Sequence, residues 1–404
     1  MEHTLLIRKN MSDEKNINLD VAIIGGGVAA LWTANALKNA GFGGRFGLFT
    51  NAPLGSGQSL AAQGVIHGGL KYALGGKLNE SSEALASMPG RWADCLAGKG
   101  EIDLTGVQVL NDHQLLWSLP GVLSQVVSFF GSKALSGRAE SVKREDFPPV
   151  FDTPEYRGKI FKIEERVLDP QSIIAELAKP VAESCFQIHW DKADFVLENG
   201  KPVGIRLESG ETIFAKKFVF AAGKGNGELL AACGFERPQM QLRPLHQVVI
   251  KKAGLPDFFS VCIGNTPKPP IVSTTHADSE GCTVWYIGGD LAEADGVVRD
   301  EVDQISTAQR WFAKHMPWID LAGAEWSTMR VDRAEPKTES GARQPGAYCE
   351  KVGENVMVAW PTKLALAPDL ADGVMAGLGL EPSIEVAGEV LLPIAVIGKP
   401  VWFK

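Results

Sequence analysis

Gly25, Gly26 and Gly27 stand between the apolar run Val21–Ile24 and a pattern of small and apolar residues that starts Val28-Ala29-Ala30. Glycines between a strand and a helix suit an anion. Gly25 suits the tight turn, Gly27 lets the backbone approach a pyrophosphate, and Ala30 permits close packing of helix on strand. The first helical turn then presents unpaired N–H donors to phosphates. No Asp or Glu occurs between Val21 and Asn79, whereas Lys38, Arg45, Lys71 and Lys77 do. A bound dinucleotide is the expectation. The next strand, Arg45–Thr50, should end in an acid that takes the adenosine ribose. Thr50 and Asn51 stand there instead, and their neutral groups bind a ribose less strongly than a carboxylate does, so modest cofactor affinity is expected.

The elements that must position this turn follow from periodicity. Asp169-Pro170 opens an amphipathic helix. Strands are expected over Gln187–Trp190, Ala193–Glu198, Val203–Glu208 and Lys217–Ala221, with a hairpin at Asn199-Gly200. From Gln241 to about Val298 the pattern becomes antiparallel, with strands at His246–Lys251, Ile271–Thr275 and Cys282–Ile287, then a helix over Asp300–Met316. Glu325–Arg333 and Asn355–Trp360 read as strands, and a last helix begins near Thr362. The expected organisation is a discontinuous nucleotide-binding domain (17–80, 160–232, 326–404) interleaved with a substrate domain (81–159, 233–325).

Two further segments sharpen this. Phe218-Val-Phe-Ala-Ala-Gly-Lys-Gly-Asn226 is a buried strand that ends in small residues. Val356-Met-Val-Ala-Trp-Pro-Thr-Lys-Leu-Ala-Leu-Ala-Pro368 aims a helix start at a strand end, with Lys363 in its first turn. Together with the glycine turn, in this order and spacing, they resemble the D-amino-acid-oxidase-like FAD-dependent oxidoreductase superfamily over roughly 20–72, 167–226 and 326–378. The resemblance implies an α/β fold, with a glutathione-reductase-like, Rossmann-type FAD-binding domain interleaved with a mixed antiparallel-sheet substrate domain. It also implies that FAD contacts Gly25, Gly26, Gly27, Ala29, Ala30, Thr50, Asn51, Gln58, Ser59, Ala62, Gln63, Gly64, Val65, Ala222, Gly223, Pro361, Thr362, Lys363 and Leu364. Backbone N–H groups and Lys363 would stabilise the negative charge of a reduced flavin.

The segment Val65-Ile-His-Gly-Gly69 resembles the turn of FAD-dependent glycerol-3-phosphate and 2-hydroxyglutarate dehydrogenases. Ala61-Ala-Gln-Gly64 also resembles the flavin loop of succinate dehydrogenase flavoproteins, in which a preceding histidine carries covalent flavin. Gln58 occupies that place, so non-covalent FAD is expected unless another residue such as Cys349 supplies a link. Oxidising a CH–OH or CH–NH bond requires hydride delivery to flavin, loss of a proton from the heteroatom and a fixed substrate anion or polar group. His67 and His246 are the chosen bases, with His276 as a third candidate and structural hydrogen bonding as the competing reading of each. Arg330 in Thr328-Met-Arg-Val-Asp-Arg333 is the chosen anion clamp, since an arginine fills that role in the amino acid oxidases. The competing reading is a salt bridge to Asp332 or Glu335. One of Trp285 and Tyr286 should face the pocket and the other the core.

A net charge of −8 and a pI near 5.5 argue against a nucleic-acid partner. The six cysteines are scattered without metal-ligand spacing, so no metal is expected. No signal peptide is recognisable and no apolar run reaches the ~20 residues of a membrane span. A cytoplasmic enzyme is expected, with peripheral membrane association left open. Its substrate would be a small anion, a hydroxy acid or polyol phosphate, and its electron acceptor oxygen, a quinone or a redox protein. The alternatives are an amine or amino acid oxidase of the same superfamily and a flavin-binding protein without catalysis.

Overall fold

The computed structural model describes residues 16–69, 84–119, 139–266, 268–341, 343–383, 390 and 392–403. The chain opens with β1 (Asn16–Ile24), α1 (Val28–Leu37), β2 (Phe46–Thr50) and α2 (Met88–Leu96), followed by the short strands β3 (Val109–Asn111), β4 (Gln114–Ser118), β5 (Ala139–Ser141), β6 (Ile160–Ile163) and β7 (Val167–Leu168). Next come α3 (Pro170–Ala178), β8 (Cys185–Gln187), β9 (Asp194–Glu198), β10 (Lys201–Arg206), β11 (Thr212–Phe220) and α4 (Asn226–Ala232). The second half holds β12 (Met240–Lys251), β13 (Ser260–Ile263), β14 (Val272–Ala277), β15 (Thr283–Gly288), α5 (Asp295–Val298), α6 (Glu301–His315), β16 (Glu325–Pro336), β17 (Tyr348–Val352), β18 (Val356–Trp360) and α7 (Ala367–Leu378).

Two large sheets result. The first runs β17-β18-β11-β1-β2-β8, with the β9–β10 hairpin paired to β11. Its central pairs are parallel, and such strands are buried on both faces and read as unbroken apolar runs. All five residues of β2 are buried. On one face α1, α3 and α7 pack through Leu31, Trp32, Ile173, Leu177, Leu370 and Val374. On the other, Phe49, Phe218, Phe220 and Trp360 form a separate core.

The second sheet runs β16-β12-β15-β14-β13-β4-β6-β5. It is antiparallel apart from the parallel β13–β4 pair. β12 and β16 pair along their whole length, from Met240 opposite Pro336 to Lys251 opposite Glu325. α6, capped by the Asp300 carboxylate on Asp303 N–H, lies on one face against Val248, Ile250, Trp285 and Ile287, with its Phe312 in that core.

Element boundaries differ from the periodicity reading in informative places. β12 begins at Met240 rather than His246, because Gln241, Arg243 and other polar residues alternate along a strand that is not apolar on both faces. β8 ends at Gln187, and Trp190–Lys192 forms a 3-10 turn instead of continuing the strand. β16 and β6 lie in the second sheet, although 326–336 and 160–163 were grouped with the nucleotide-binding domain, since their ladder partners are β12 and β4. In the opposite sense α2 packs on the first sheet's helices, with Trp92 4.8 Å from Trp32 between ring centroids.

Candidate active site

The glycine turn has the expected form. Gly25 adopts φ +132°, and a Cβ there would lie 2.4 Å from Ala221 O, so only glycine lets β1 and β11 end side by side. Gly27 starts α1 without a side-chain cap, and the Val28 N–H donates to Ser59 Oγ at 3.0 Å. Gly26, Gly27, Ala222 and Gly223 are half-buried. Asn226 accepts from Ala222 N–H at 2.7 Å and donates to Ala359 O at 3.0 Å, tying the ends of β11 and β18 together. Thr362, at the turn after β18, has φ +59°, a conformation costing a β-branched residue about 1–2 kcal/mol. Its hydroxyl donates to Gly346 O. This kink defers the helix, so the chain passes through a 3-10 turn, Leu364–Leu366, before α7 begins. These strand ends, half-buried glycines and uncapped N–H donors fit FAD: Gly25–Ala30 and Ser59 would hold its pyrophosphate, and Ala222, Gly223 and the Pro361–Leu364 turn its flavin end.

Several residues expected on the cofactor have other commitments. Thr50 donates its hydroxyl to Ala52 O at 2.9 Å and is buried behind Gly26, whereas Asn51 is exposed. Gln58 Oε1 accepts from Ala334 N–H at 3.3 Å. Gln63 donates to Val272 O and Tyr286 O, each at 3.0 Å, pinning its loop across β14 and β15. Gly64 has φ +73°, and a Cβ would meet Leu168 O at 1.9 Å, while Val65 bridges to Val167. Ala62 and Leu364 are half-buried, and Ala29 and Ala30 are inside α1. Lys363 Nζ donates to Pro345 O at 2.6 Å. Cys349 Sγ lies against Gly373 of α7, and burial pushes its thiol pKa up, which disfavours the reactive thiolate.

Side-chain alternation divides the second sheet. Gln247, Tyr286 and Gly288 face the Ala61–Gln63 loop. Tyr286 Oη lies 2.7 Å from Gln247 Oε1 and 3.0 Å from Ala61 O, and a Cβ on Gly288 would meet Gln63 at 3.2 Å. Trp285 points the other way into the α6 core. So does His246, opposite Arg330 in the register. His246 is 1% exposed, with Nδ1 3.0 Å from Gly296 O and Nε2 2.9 Å from Thr328 Oγ1. Burial pushes its pKa down. Arg330 is exposed and donates to Val297 O at 2.7 Å and to Arg299 O. Both chosen residues therefore brace α5 and the start of α6 and lie on the sheet face opposite the Ala61–Gln63 loop. His276 is also interior: burial pushes its pKa down to about 3, and it stacks on Trp402 at 4.3 Å.

On the face shared with Gln247, Arg333 lies opposite Arg243, and Glu335 opposite Gln241. Arg333 donates to Arg243 O at 3.1 Å and to Glu293 at 3.0 Å. Glu335, 2% exposed, lies 3.6 Å from Arg243 Nε and 3.9 Å from Arg343 Nε, and accepts from Gln241 at 2.9 Å. Among the described residues, both of those guanidinium Nε atoms are buried without a hydrogen-bond acceptor. Burial pushes the Arg333 pKa down, reinforced by Arg343, while Arg333 and Arg343 hold Glu293 low against its own burial. Three guanidinium groups and two carboxylates thus meet one residue from the Gln58–Ala334 contact, and Arg343 leads into the Pro345–Gly346 stretch gripped by Thr362 and Lys363. The polar alternation Gln241, Arg243, Gln247 was the sequence signal for this face.

His67 lies where its loop runs beside β7. Its Nδ1 is 2.9 Å from Glu165 Oε2, and the adjacent Gly68 N–H donates to Glu165 Oε1 at 2.9 Å. A Cβ on Gly68 would touch Pro89 at the start of α2, and Trp92 of α2 donates to Ala365 O. The loop that carries His67 and the 3-10 turn Leu364–Leu366 thus both contact α2, the first through Gly68 and the second through Ala365.

A sequence profile described as FAD dependent oxidoreductase (DAO) matches residues 20–349. The chain belongs to the DAO family of FAD-dependent oxidoreductases. Among curated proteins it is similar to the probable FAD-dependent oxidoreductase PA4991 of Pseudomonas aeruginosa, at 44% identity over 389 residues, covering 96% of this chain and 98% of that protein. The crystal structure of PA4991 superposes with a TM-score of 0.82 at 40% identity, over 96% and 98% of the two chains. At the level of fold alone, glycine oxidase from Geobacillus kaustophilus (TM-score 0.63, 17% identity, 92% and 96% coverage) and FAD-bound L-alpha-glycerophosphate oxidase from Mycoplasma pneumoniae (0.64, 15%, 93% and 99%) share the DAO architecture. As a DAO-family member the protein is an oxidoreductase whose cofactor is FAD. No helix among the described residues is long and apolar enough to cross a membrane, and they contain no group of three or more His, Cys, Asp or Glu placed to hold a metal ion.

Proposed function

We propose that this enzyme dehydrogenates a small anionic substrate, a hydroxy acid or polyol phosphate, using non-covalently held FAD, with His67 as the proton acceptor. The substrate's acid group is held by Arg333, Arg243 and Arg343 in place of Arg330. The arginine cluster carries this reading. Among the described residues, the three half-buried guanidinium groups, with Lys268 3.5 Å from Glu293, outnumber the carboxylates they meet, Glu335 and Glu293, and charge removed from water is costly unless paired. An incoming carboxylate or phosphate completes the pairing and offers acceptors to the Arg243 and Arg343 Nε atoms. Bound FAD supplies a two-electron hydride acceptor. The chain's own part is to fix the acid group, to receive the hydroxyl proton on His67, and to exclude water with the sheet face carrying Gln247 and Tyr286.

Anaerobic mixing with a panel of hydroxy acids, polyol phosphates and amino acids tests this. Flavin bleaching by one of the first two classes is expected. Bleaching confined to amino acids, with ammonia release, would reassign the enzyme as an amino acid oxidase, and no bleaching across the panel would favour a flavin-binding protein. The non-covalent linkage is checked by denaturation, which should release intact FAD into the supernatant. A cytoplasmic location, with oxygen, a quinone or a redox protein reoxidising the flavin, completes the reading.

A further inference from the structure

Glu165 is the middle of the three residues, Glu164–Arg166, by which β6 hands over to β7, and the loop 64–68 is clipped to this link. The Ile66 N–H donates to Arg166 O and the Leu168 N–H to Gly64 O, each at 2.9 Å, and Val65 bridges to Val167. The Glu165 carboxylate is 3% exposed within this clip, and its two oxygens divide their work: Oε2 meets His67 Nδ1 and Oε1 accepts the Gly68 N–H. Arg166, next in the chain, turns outward to Asp112 at 3.3 Å, and Glu164 is exposed.

We propose that Glu165 is a positioning residue that fixes the tautomer of His67 and raises its proton affinity. The inference rests on the reading of His67 as the base. An ionised carboxylate only accepts, so it obliges the neutral imidazole to carry its proton on Nδ1 and leaves the lone pair on Nε2. It also stabilises the imidazolium formed when Nε2 takes a proton. In the step so set up, the substrate O–H bond breaks and an Nε2–H bond forms. The electron pair left on oxygen becomes the carbonyl π bond as the hydride leaves carbon with its two electrons for oxidised FAD. The second oxygen's hold on the Gly68 N–H adds orientation, because it ties the carboxylate to the backbone that carries the ring. His246 makes the contrast: its ring nitrogens meet a backbone carbonyl and a threonine hydroxyl, an arrangement that holds a ring without charging it.

The test compares wild type, Glu165→Gln and Glu165→Asp in two measurements. In the first, 15N-histidine NMR of the apoprotein reads the ring directly. Wild-type His67 should show the Nδ1-protonated tautomer, and its pKa should fall by about 1–2 units in Glu165→Gln while staying high in Glu165→Asp. An unchanged tautomer and pKa in the Gln variant would overturn the proposal whatever the activity shows. The second measurement is rapid flavin reduction across pH. Glu165→Gln should lower the plateau rate by about 10–100-fold and move the base limb to lower pH, with substrate KM little changed and partial rescue in Glu165→Asp. A fall in rate with an unmoved limb would reduce Glu165 to a packing role. His67→Ala separates the two ideas: full-speed flavin reduction in that variant would remove the base reading, while the NMR result decides the pairing by itself.

Discussion

The two faces of the second sheet use the same residue types for opposite ends. On the α6 face, His246 and Arg330 sit opposite each other and spend their nitrogens on the backbone of Gly296, Val297 and Arg299 and on the Thr328 hydroxyl. On the face toward the Ala61–Gln63 loop, Arg333 and Arg243 sit opposite each other beside buried Glu335, and among the described residues Arg243 Nε has no acceptor. A histidine or arginine satisfied by carbonyls holds an element in place. One held against a carboxylate, with donors to spare, is set up for charge. Arg330 and Arg333 are three positions apart, and strand alternation alone puts them on opposite faces.

The largest effect expected tests the cradle on which the functional face depends. Gly27→Val should abolish FAD retention, read as loss of flavin absorbance in the purified protein, because a Cβ at that position already meets Ser59 Oγ at 2.9 Å and a branched side chain fills the space a pyrophosphate needs. Stoichiometric FAD in this variant would place the phosphates elsewhere.

The histidines come next. His67→Ala should slow flavin reduction by about 10²–10⁴-fold. His246→Ala should leave the reduction rate close to wild type and instead lower the unfolding free energy by about 1–3 kcal/mol, since it strands the Thr328 hydroxyl and opens a buried hole. Stopped-flow kinetics and urea denaturation on both variants would break the comparison if the two effects changed places.

A smaller effect separates the arginines. Arg333→Lys should raise KM for anionic substrates by roughly 10–100-fold, equivalent to about 1.5–3 kcal/mol of charge-assisted hydrogen bonding, and Arg330→Lys should leave KM alone. An Arg330→Lys defect in KM with a normal Arg333→Lys enzyme would restore the clamp to the α6 face.

Near neutral pH the smallest effect is that of His276, which emerges only as the pH falls. His276 has its pKa depressed to about 3 from 6.5, so the unfolded chain binds its proton first as pH falls. Its contribution to stability is intact above about 6.5 and is lost as pH drops from there toward about 3, at up to about 1.4 kcal/mol per unit. His276→Phe keeps a ring on Trp402 and should flatten the slope of unfolding free energy against pH in that window. An unaltered slope would mean that other groups carry the acid sensitivity.

The chain's local patterns determined a good deal. The glycine turn, the Asp169 and Asp300 helix starts, the Asn199-Gly200 hairpin and the apolar strands β1, β11 and β18 are encoded over short stretches, because backbone sterics, capping and burial act within a few residues. Family resemblance added FAD and the expectation that the loop carrying His67 lies beside the flavin. What tertiary structure alone decided is which side chains meet. Glu165 reaches His67 across 98 residues of chain, Arg243 comes beside Arg333 across 90, and Gln58 and Gln63 turn out to tie the flavin loop to β16, β14 and β15. The polar β12 residues gave a hint through their alternation, but their partners did not. Register and sheet order set those meetings. Both arise from long-range pairing, in which a shift of one residue carries every side chain to the other face.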